Sequence, residues 1–291
     1  QCLVLGPAAP DEIGPIVAEG FSGSVSQPEE VATYGEAAAQ AGTRARLHAV
    51  ADTGMGRIGA AVEGFPELVE AIRRHPHCDL EGLATHFPSA DEDRDYTLDQ
   101  IGRFKALVGS VGPEPGCQIH LANSAGLIGY ASGMPFATMA RPGLALYGVS
   151  PMPEMGTDLR PAMSVKTRVT LVRKVPAGTG ISYGRTFVTD RPTVVATLAA
   201  GYGDGYPRHL SGSGAEVLVG GRRCPLLGRV TMDQVMVDVS GVAEVRAGDE
   251  AVLIGRQGDE EITASEVARL AGTIPWEVLT GITGRVVRVY C

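Results

Sequence analysis

LATHFPSADEDRDYTLDQIGRFKALVGSVGPEPGCQIHLA, residues 83–122, is the stretch that decides the fold. Two short apolar runs, Leu83-Ala-Thr-His-Phe87 and Gln118-Ile-His-Leu-Ala122, flank residues 96–108, where Leu98, Ile101, Phe104, Leu107 and Val108 recur three and four apart. The short runs predict strands and the period between them predicts an amphipathic helix. Strand, crossover helix and second strand make a βα unit, and such units assemble into a parallel sheet.

The alternation continues outward in both directions. Cys2-Leu-Val-Leu5, Gly23-Ser-Val-Ser26 and Arg46-Leu-His-Ala-Val-Ala51 precede this unit, Ala137-Thr-Met-Ala140 follows it, and helical patterns cover residues 29–41 and 65–74. Six units in about 150 residues suit a TIM-like (β/α)8 barrel missing its first two βα units. A doubly wound sheet fits less well, because no G-x-G-x-x-G opens the first helix. Asp52, His86, Asn123, Ser124 and Arg141 stand at strand ends, which form the catalytic rim of such a barrel.

The texture changes after Tyr147-Gly148. Ser150-Pro-Met-Pro-Glu-Met-Gly156 is a linker by composition, and β-branched runs follow at residues 165–175, 193–198, 216–219, 235–239, 250–254 and 285–290, separated by glycine turns. They predict a mainly antiparallel C-terminal β domain. Within it Thr263 precedes a short helix, residues 265–270, with Glu266 three positions on, the pattern of a capping box. The expected domains are 1–150 and 151–291.

Composition narrows the function. The chain has 291 residues, 44% hydrophobic and 20% charged, and a net charge of −8. That charge disfavours nucleic acid and anionic membranes, which need clustered positive charge, and no apolar run approaches the ~18 residues of a membrane span. Five widely spaced cysteines without a C-x-x-C pair indicate no metal site and no disulfide framework, and a reducing, cytoplasmic setting is expected. The chain opens with Gln1, which leads us to expect a missing or processed N-terminus. There are only three lysines, Lys105, Lys166 and Lys174, against 22 arginines (25 Lys plus Arg, less three).

Several motifs carry chemistry. Asp52-Thr-Gly-Met-Gly-Arg57 pairs glycines that permit close backbone approach with a guanidinium suited to a carboxylate, although a solvated turn would look the same. His86 could equally be a structural strand-end histidine. His120-Leu-Ala-Asn-Ser124 puts amide and hydroxyl groups at a strand-to-helix junction, where they can cradle a phosphate or simply cap the helix. Arg141-Pro-Gly-Leu144 follows the last strand, where barrels place phosphate sites, and Gly143 opens its N–H to a ligand. Ser182-Tyr-Gly184, Gly201-Tyr-Gly-Asp-Gly-Tyr206 and Gly228-Arg-Val-Thr-Met-Asp-Gln234 mix aromatic, glycine and acidic residues beyond what a hairpin requires.

In order and spacing these motifs resemble the alanine racemases from end to end, together with Thr85-His-Phe87, Ala145-Leu-Tyr-Gly148, Val175-Pro-Ala-Gly178 and Leu279-Thr-Gly-Ile282. The resemblance implies a pyridoxal-phosphate (PLP) enzyme that interconverts L- and D-alanine by two bases and supplies D-alanine for peptidoglycan. It implies Tyr183 as one base, with His86 and Arg141 as its polarising network, since a free phenol titrates near ~10. Arg141 would face the pyridine nitrogen. Ser124, Asn123, Gly143 and Leu144 would hold the phosphate, and Arg57 and Met232 the substrate carboxylate. Tyr202 and Asp233 would complete the substrate side. It further implies a homodimer in which Tyr183, Tyr202, Met232 and Asp233 reach the partner's barrel mouth.

Three positions depart from the family pattern. Val50 stands where many members carry a carbamylated lysine that braces the substrate arginine, Gly284 where some have a phosphate-binding tyrosine, and Thr231 where some have cysteine. The motif with the cofactor-binding lysine is not found in these residues, so the chain alone is expected to be inactive. The alternatives are a racemase of serine or of several amino acids, and a non-catalytic PLP-binding fragment.

Overall fold

The computed structural model describes residues 2–155 and 158–290. Gly156, which closes the expected linker, lies outside them, as do Gln1, Thr157 and Cys291. The chain divides into two compact units, Gln1–Ala145 with Ser150–Asp158 and Leu146–Val149 with Leu159–Cys291.

The first unit is a parallel part-barrel. Its sheet runs β1 (Leu3–Val4), β2 (Ser22–Val25), β3 (Ala45–Val50), β4 (Cys78–Ala84) and β5 (Gln118–His120), in sequence order. Each neighbouring pair is parallel. Helices α1 (Pro10–Ala18), α2 (Pro28–Ala41), α3 (Phe65–Arg74) and α4 (Arg94–Val111) make the crossovers, and α5 (Ser124–Tyr130) follows β5. Val31, Phe65, Leu68, Ile72 and Phe104 from the helices and Leu47 and Leu83 from the strands are buried in one core. Each such side chain contributes roughly 1.5–3 kcal/mol by leaving water, which fastens the helices to the sheet.

Helix α4 begins at Asp93, whose carboxylate accepts the Tyr96 N–H at 3.0 Å, and ends at Gly112 in the left-handed region. Its buried face differs from the expected one. Leu98 is 43% exposed, and Thr97 and Gln100 are fully buried beside Ile101, Phe104, Leu107 and Val108. The face is turned toward a polar loop, not toward apolar core alone, and this decides which side chains it needs.

The sixth expected strand shrinks to a single bridge. Met139 pairs with His120, and the Thr138 hydroxyl accepts the Ile119 N–H at 2.8 Å. Three hydrogen-bonded residues in β5 leave little edge for a partner.

The second unit is mainly antiparallel, as expected. Its main sheet has the order β11 (Arg222–Pro225), β10 (Glu216–Val219), β13 (Glu250–Gln257), β6 (Val165–Val175), β9 (Thr193–Leu198) and β12 (Val235–Asp238), with β14 (Glu260–Ile262) on β13. A small hairpin, β7 (Gly180–Ile181) with β8 (Phe187–Val188), stands apart. Val219 pairs with Arg222, so the β10–β11 turn has only Gly220 and Gly221 at its centre, both at positive φ as a tight hairpin requires. Helices α6 (Ala264–Ala271) and α7 (Pro275–Gly281) pack on this unit's core.

Two expectations need correction here. The Thr263 hydroxyl does accept the Glu266 N–H at 3.0 Å, but Glu266 does not return the bond; its carboxylate pairs with Arg223 at 2.6 Å. Residues 285–290 form no strand. Val287, Val289 and Tyr290 are more than three-quarters exposed, and Arg288 spends its guanidinium on the carbonyls of Ile282, Thr283 and Val286, so the segment is held locally and not by a sheet edge.

Candidate active site

The C-terminal ends of the parallel strands carry a polar cluster. Beyond β3, the Asp52 carboxylate accepts the N–H groups of Gly54, Met55 and Gly56 at 2.8–3.1 Å and closes a tight loop. Burial opposes ionisation of Asp52, but these three donors outweigh it and hold the carboxyl below its ordinary range. Arg57 at the end of this loop is exposed and makes no hydrogen bond or ion pair among the described residues. Its charge is felt by His86 and Arg141.

Arg141 is the centre of the cluster. One terminal nitrogen donates to His120 Nδ1 and the other to the Thr85 carbonyl at 2.7 Å and His86 Nδ1 at 3.1 Å. A guanidinium can only donate, so Nδ1 of His120 must be an acceptor and its Nε2 must carry the hydrogen. That hydrogen goes to His48 Nδ1 at 2.8 Å, and the His48 Nε2–H then goes to the Glu81 carboxylate at 3.1 Å. The direction of donation is set along the whole line: Arg141, His120, His48, Glu81. The same logic leaves the hydrogen of His86 on Nε2.

All three imidazoles are held neutral. Burial, then the Arg141 charge, then His48, push His120 down to about 2; burial, then Arg141 and Arg57, push His86 down to about 4; burial lowers His48. Arg141 is itself lowered to about 10, by burial and then by Arg57, and stays protonated at neutral pH.

The relay exists because of a glycine. Gly82 on β4 lies between His48 on β3 and β5, and a Cβ there would sit 2.2 Å from His48 Nδ1. Gly82→Ala should therefore cost about 1–3 kcal/mol by overpacking, read as a lower urea midpoint with an unchanged slope. An unaltered midpoint would show that the rings have room to move.

Neutral buried histidines also make acid costly. The unfolded chain takes up a proton near the ordinary His value of 6.5, whereas folded His86 does so only near 4, so stability should be full above 6.5 and fall as pH drops toward 4. The loss is at most about 1.4 kcal/mol per pH unit for each histidine, and less for half-buried His86, where solvent screens it. Urea titrations between pH 7 and 4.5 measure this slope. His86→Gln should flatten it, and an unchanged slope would remove His86 as a source.

Ser124 and Asn123 follow β5. The Ser124 hydroxyl oxygen accepts the N–H groups of Gly143 and Ala145 at 3.0 and 3.1 Å, drawing the loop after Arg141 against the start of α5. Leu144 is buried beneath this loop, and Gly143 faces open space. Asn123 is spent on structure: its Oδ1 caps α5 through the Gly126 N–H, and its Nδ2 donates to the Phe87 carbonyl.

The second unit gathers the other candidates. Tyr183 is 72% exposed on a turn whose backbone is strained, with Ser182 at φ 61°, ψ −176°, a region nearly restricted to glycine, and Arg185 at φ 48°. The Ser182 hydroxyl donates to the Arg229 carbonyl at 2.6 Å and holds the turn in place. Tyr202 and Met232 meet through backbone: the Tyr202 and Gly203 N–H groups donate to the carbonyls of Thr231 and Met232, and a Cβ at Gly201 would lie 2.2 Å from the Thr231 oxygen. Asp233 pairs with Arg285 at 2.6 Å.

No lysine joins either group. Lys105 lies on α4, and Lys166 and Lys174 on β6, with Lys166 paired to Glu250 at 3.1 Å. Among the described residues no group of three acidic, histidine or cysteine side chains is placed to hold a metal, and no helix is long and apolar enough to cross a membrane. Sequence reasoning missed His48, Glu81, Tyr96 and Gln100. The available signal was a histidine on each of the two strands, β3 and β5, that flank the Gly82 strand.

Comparison with known proteins covers both halves of the chain. A family model described as alanine racemase, N-terminal domain, matches residues 1–151, and one described as alanine racemase, C-terminal domain, matches residues 162–290. The alanine racemase of Symbiobacterium thermophilum is 44% identical over 294 residues, and that of Halothermothrix orenii 41% over 296; each alignment covers 99% of this chain and about three-quarters of the relative, 77% and 76%. Among solved structures, alanine racemase from Bacillus anthracis with bound L-Ala-P superposes with a TM-score of 0.85 at 38% identity, covering 98% of this chain and 74% of that one. Alanine racemase from Streptomyces coelicolor A3(2) gives 0.88 at 37% identity, covering 99% and 77%.

Proposed function

Because this chain belongs to the alanine racemase family, we propose that it serves the interconversion of L- and D-alanine with PLP as cofactor. The observation that carries this reading is the half-buried Arg141 guanidinium, pinned by His120, His86 and the Thr85 carbonyl at the strand ends, beside the Ser124–Gly143 junction. The donor set fits the cofactor. Arg141 can donate to a ring nitrogen, and the Ser124 hydroxyl and the Leu144 N–H suit a phosphate, to which the Gly143 N–H would turn from the Ser124 oxygen.

When bound, PLP supplies the conjugated ring that takes up the electron pair left at the substrate Cα. The rest falls to the protein. A group that must lose a proton from one face and regain it on the other needs two bases, and Tyr183 is proposed as one. His86, with its hydrogen on Nε2, donates toward the Tyr183 oxygen and favours the phenolate. Arg141 stays protonated and so withholds a proton from the ring nitrogen, which weakens the electron sink and disfavours transamination. Arg57 and the Met232 N–H bind the substrate carboxylate, Tyr202 narrows entry, and Asp233 steadies that side through Arg285. We further propose a homodimer in which Tyr183 of one protomer serves His86 and Arg141 of the other.

The test is racemisation of a panel of L-amino acids by the gene's full-length product loaded with PLP. Alanine should be turned over with the highest kcat/KM. A clear preference for serine, or cofactor binding without turnover of any amino acid, would contradict the reading. Borohydride reduction of the same protein should leave Lys105, Lys166 and Lys174 unmodified. A stoichiometric phosphopyridoxyl group on any of them, in an active enzyme, would show that one of these three is the cofactor-binding lysine and would contradict the expectation that none of them is.

A further inference from the structure

Val50 cannot brace Arg57 as a carbamylated lysine would, yet the loop carrying Arg57 is held, from within by the Asp52 carboxylate and from outside by one face of α4. Tyr96, Gln100 and Arg103 follow each other four and three residues apart and therefore share that face. The Tyr96 hydroxyl donates to the Gly54 carbonyl at 2.8 Å; Gln100 Nε2 donates to Thr53 Oγ1 at 3.1 Å and to the His86 carbonyl at 3.3 Å; Arg103 donates to the Thr53 carbonyl at 3.3 Å. Gly54 is shaped to this contact. It sits at φ +144°, and a Cβ on it would lie 2.1 Å from the Tyr96 hydroxyl oxygen.

Gln100 shows that more than packing is at stake. It is fully buried, and its Oε1 has no partner among the described residues. An unmet buried acceptor destabilises the fold, and a side chain of similar shape without polar atoms would avoid the loss. What the amide achieves is a bridge: its Nε2 joins the loop after β3, which carries Arg57, to the loop after β4, which carries His86. The Thr53 and Thr85 hydroxyls, 2.8 Å apart, make a second tie between the same two loops.

We propose that Tyr96, Gln100 and Arg103 are positioning residues for Arg57, setting where its guanidinium meets the substrate carboxylate and how far it stands from His86. The inference rests on the role proposed above for Arg57. A guanidinium that binds the carboxylate equally in ground and transition states affects KM and leaves kcat nearly alone. Its displacement should therefore appear in KM. A merely structural defect lowers the active fraction, which reduces kcat and leaves KM unchanged.

The experiment uses the full-length, PLP-loaded protein and four forms: wild type, Gln100→Met, Tyr96→Phe and Arg57→Met. Three quantities are read, the KM and the kcat for L-alanine and the affinity for propionate, a carboxylate without the amino group. Gln100→Met should raise KM and weaken propionate together by roughly 10- to 100-fold, with kcat within about threefold of wild type; Tyr96→Phe should do the same to a smaller extent, a few-fold. Should Gln100→Met fail to fold, Tyr96→Phe decides the matter, since it removes a single hydroxyl. If Arg57→Met weakens propionate while Gln100→Met and Tyr96→Phe leave KM and propionate affinity at wild-type values, the positioning role is wrong and the reading of Arg57 stands. If Arg57→Met leaves propionate binding intact, both fall.

Discussion

Tyr183→Phe should slow Cα-hydrogen exchange from one enantiomer of alanine by about 10²–10⁴-fold, the usual contribution of a general base, while exchange from the other enantiomer stays within a few-fold of wild type. Each base serves one face of the planar intermediate state, so only the face served by the phenol loses its catalyst. The racemisation rates themselves cannot reveal this. The equilibrium constant between enantiomers is fixed, so kcat/KM in the two directions must fall together. Solvent deuterium wash-in, followed separately from L- and D-alanine, escapes that constraint. Equal loss of exchange from both enantiomers, with PLP still bound, would remove Tyr183 as a one-face base. The strained turn that presents Tyr183, with Ser182 in a glycine-like conformation, is consistent with a side chain held for use and not for packing.

Mixing Arg141→Ala chains with Tyr183→Phe chains should restore activity that neither variant shows alone. In the head-to-tail dimer proposed above, each site would draw Arg141 from one protomer and Tyr183 from the other. A heterodimer then has one site with both residues intact and one with both altered, so about half of its sites should work. Tagged heterodimers, purified and assayed beside each homodimer, provide the comparison. Verified heterodimers without recovered activity would contradict sharing. Arg141→Ala is expected to be nearly inactive for a reason visible in the fold: it removes the guanidinium that orients both His120 and His86, and so unsettles the direction of the whole relay.

The βα units were legible because their helices obey a 3.6-residue period and their strands are short, buried apolar runs; α3 was expected at residues 65–74 and is found at Phe65–Arg74. Helix α1 was hidden by its own composition, since Gly14 and Pro15 lie inside it, residues that usually argue against a helix interior. The failed strand at residues 285–290 shows the opposite error. Alternating β-branched residues satisfied the local pattern, but no edge received them, and a strand requires a partner that the local pattern cannot supply.

The site divides in the same way. Arg57, His86, Ser124 and Arg141 were identifiable because they stand just beyond strand ends, and the part-barrel topology brings those ends together. The groups that orient them were not. Gln100 sits on a helix face where an apolar residue is expected, and its role depends on contacts 47 and 14 residues away. His48 and Glu81 lie inside strands, and only the register around Gly82 brings His48 to His120. Such partners are set by tertiary contact, which a linear pattern encodes only indirectly.

The most direct test of this account follows L-alanine in deuterium oxide with the PLP-loaded full-length protein, resolving the two enantiomers and their Cα isotope. The expected result is D-alanine that carries solvent deuterium at Cα from the first turnovers, together with the reverse conversion starting from D-alanine. Cofactor binding with no inversion in either direction, or inversion that retains the original Cα hydrogen, would contradict it.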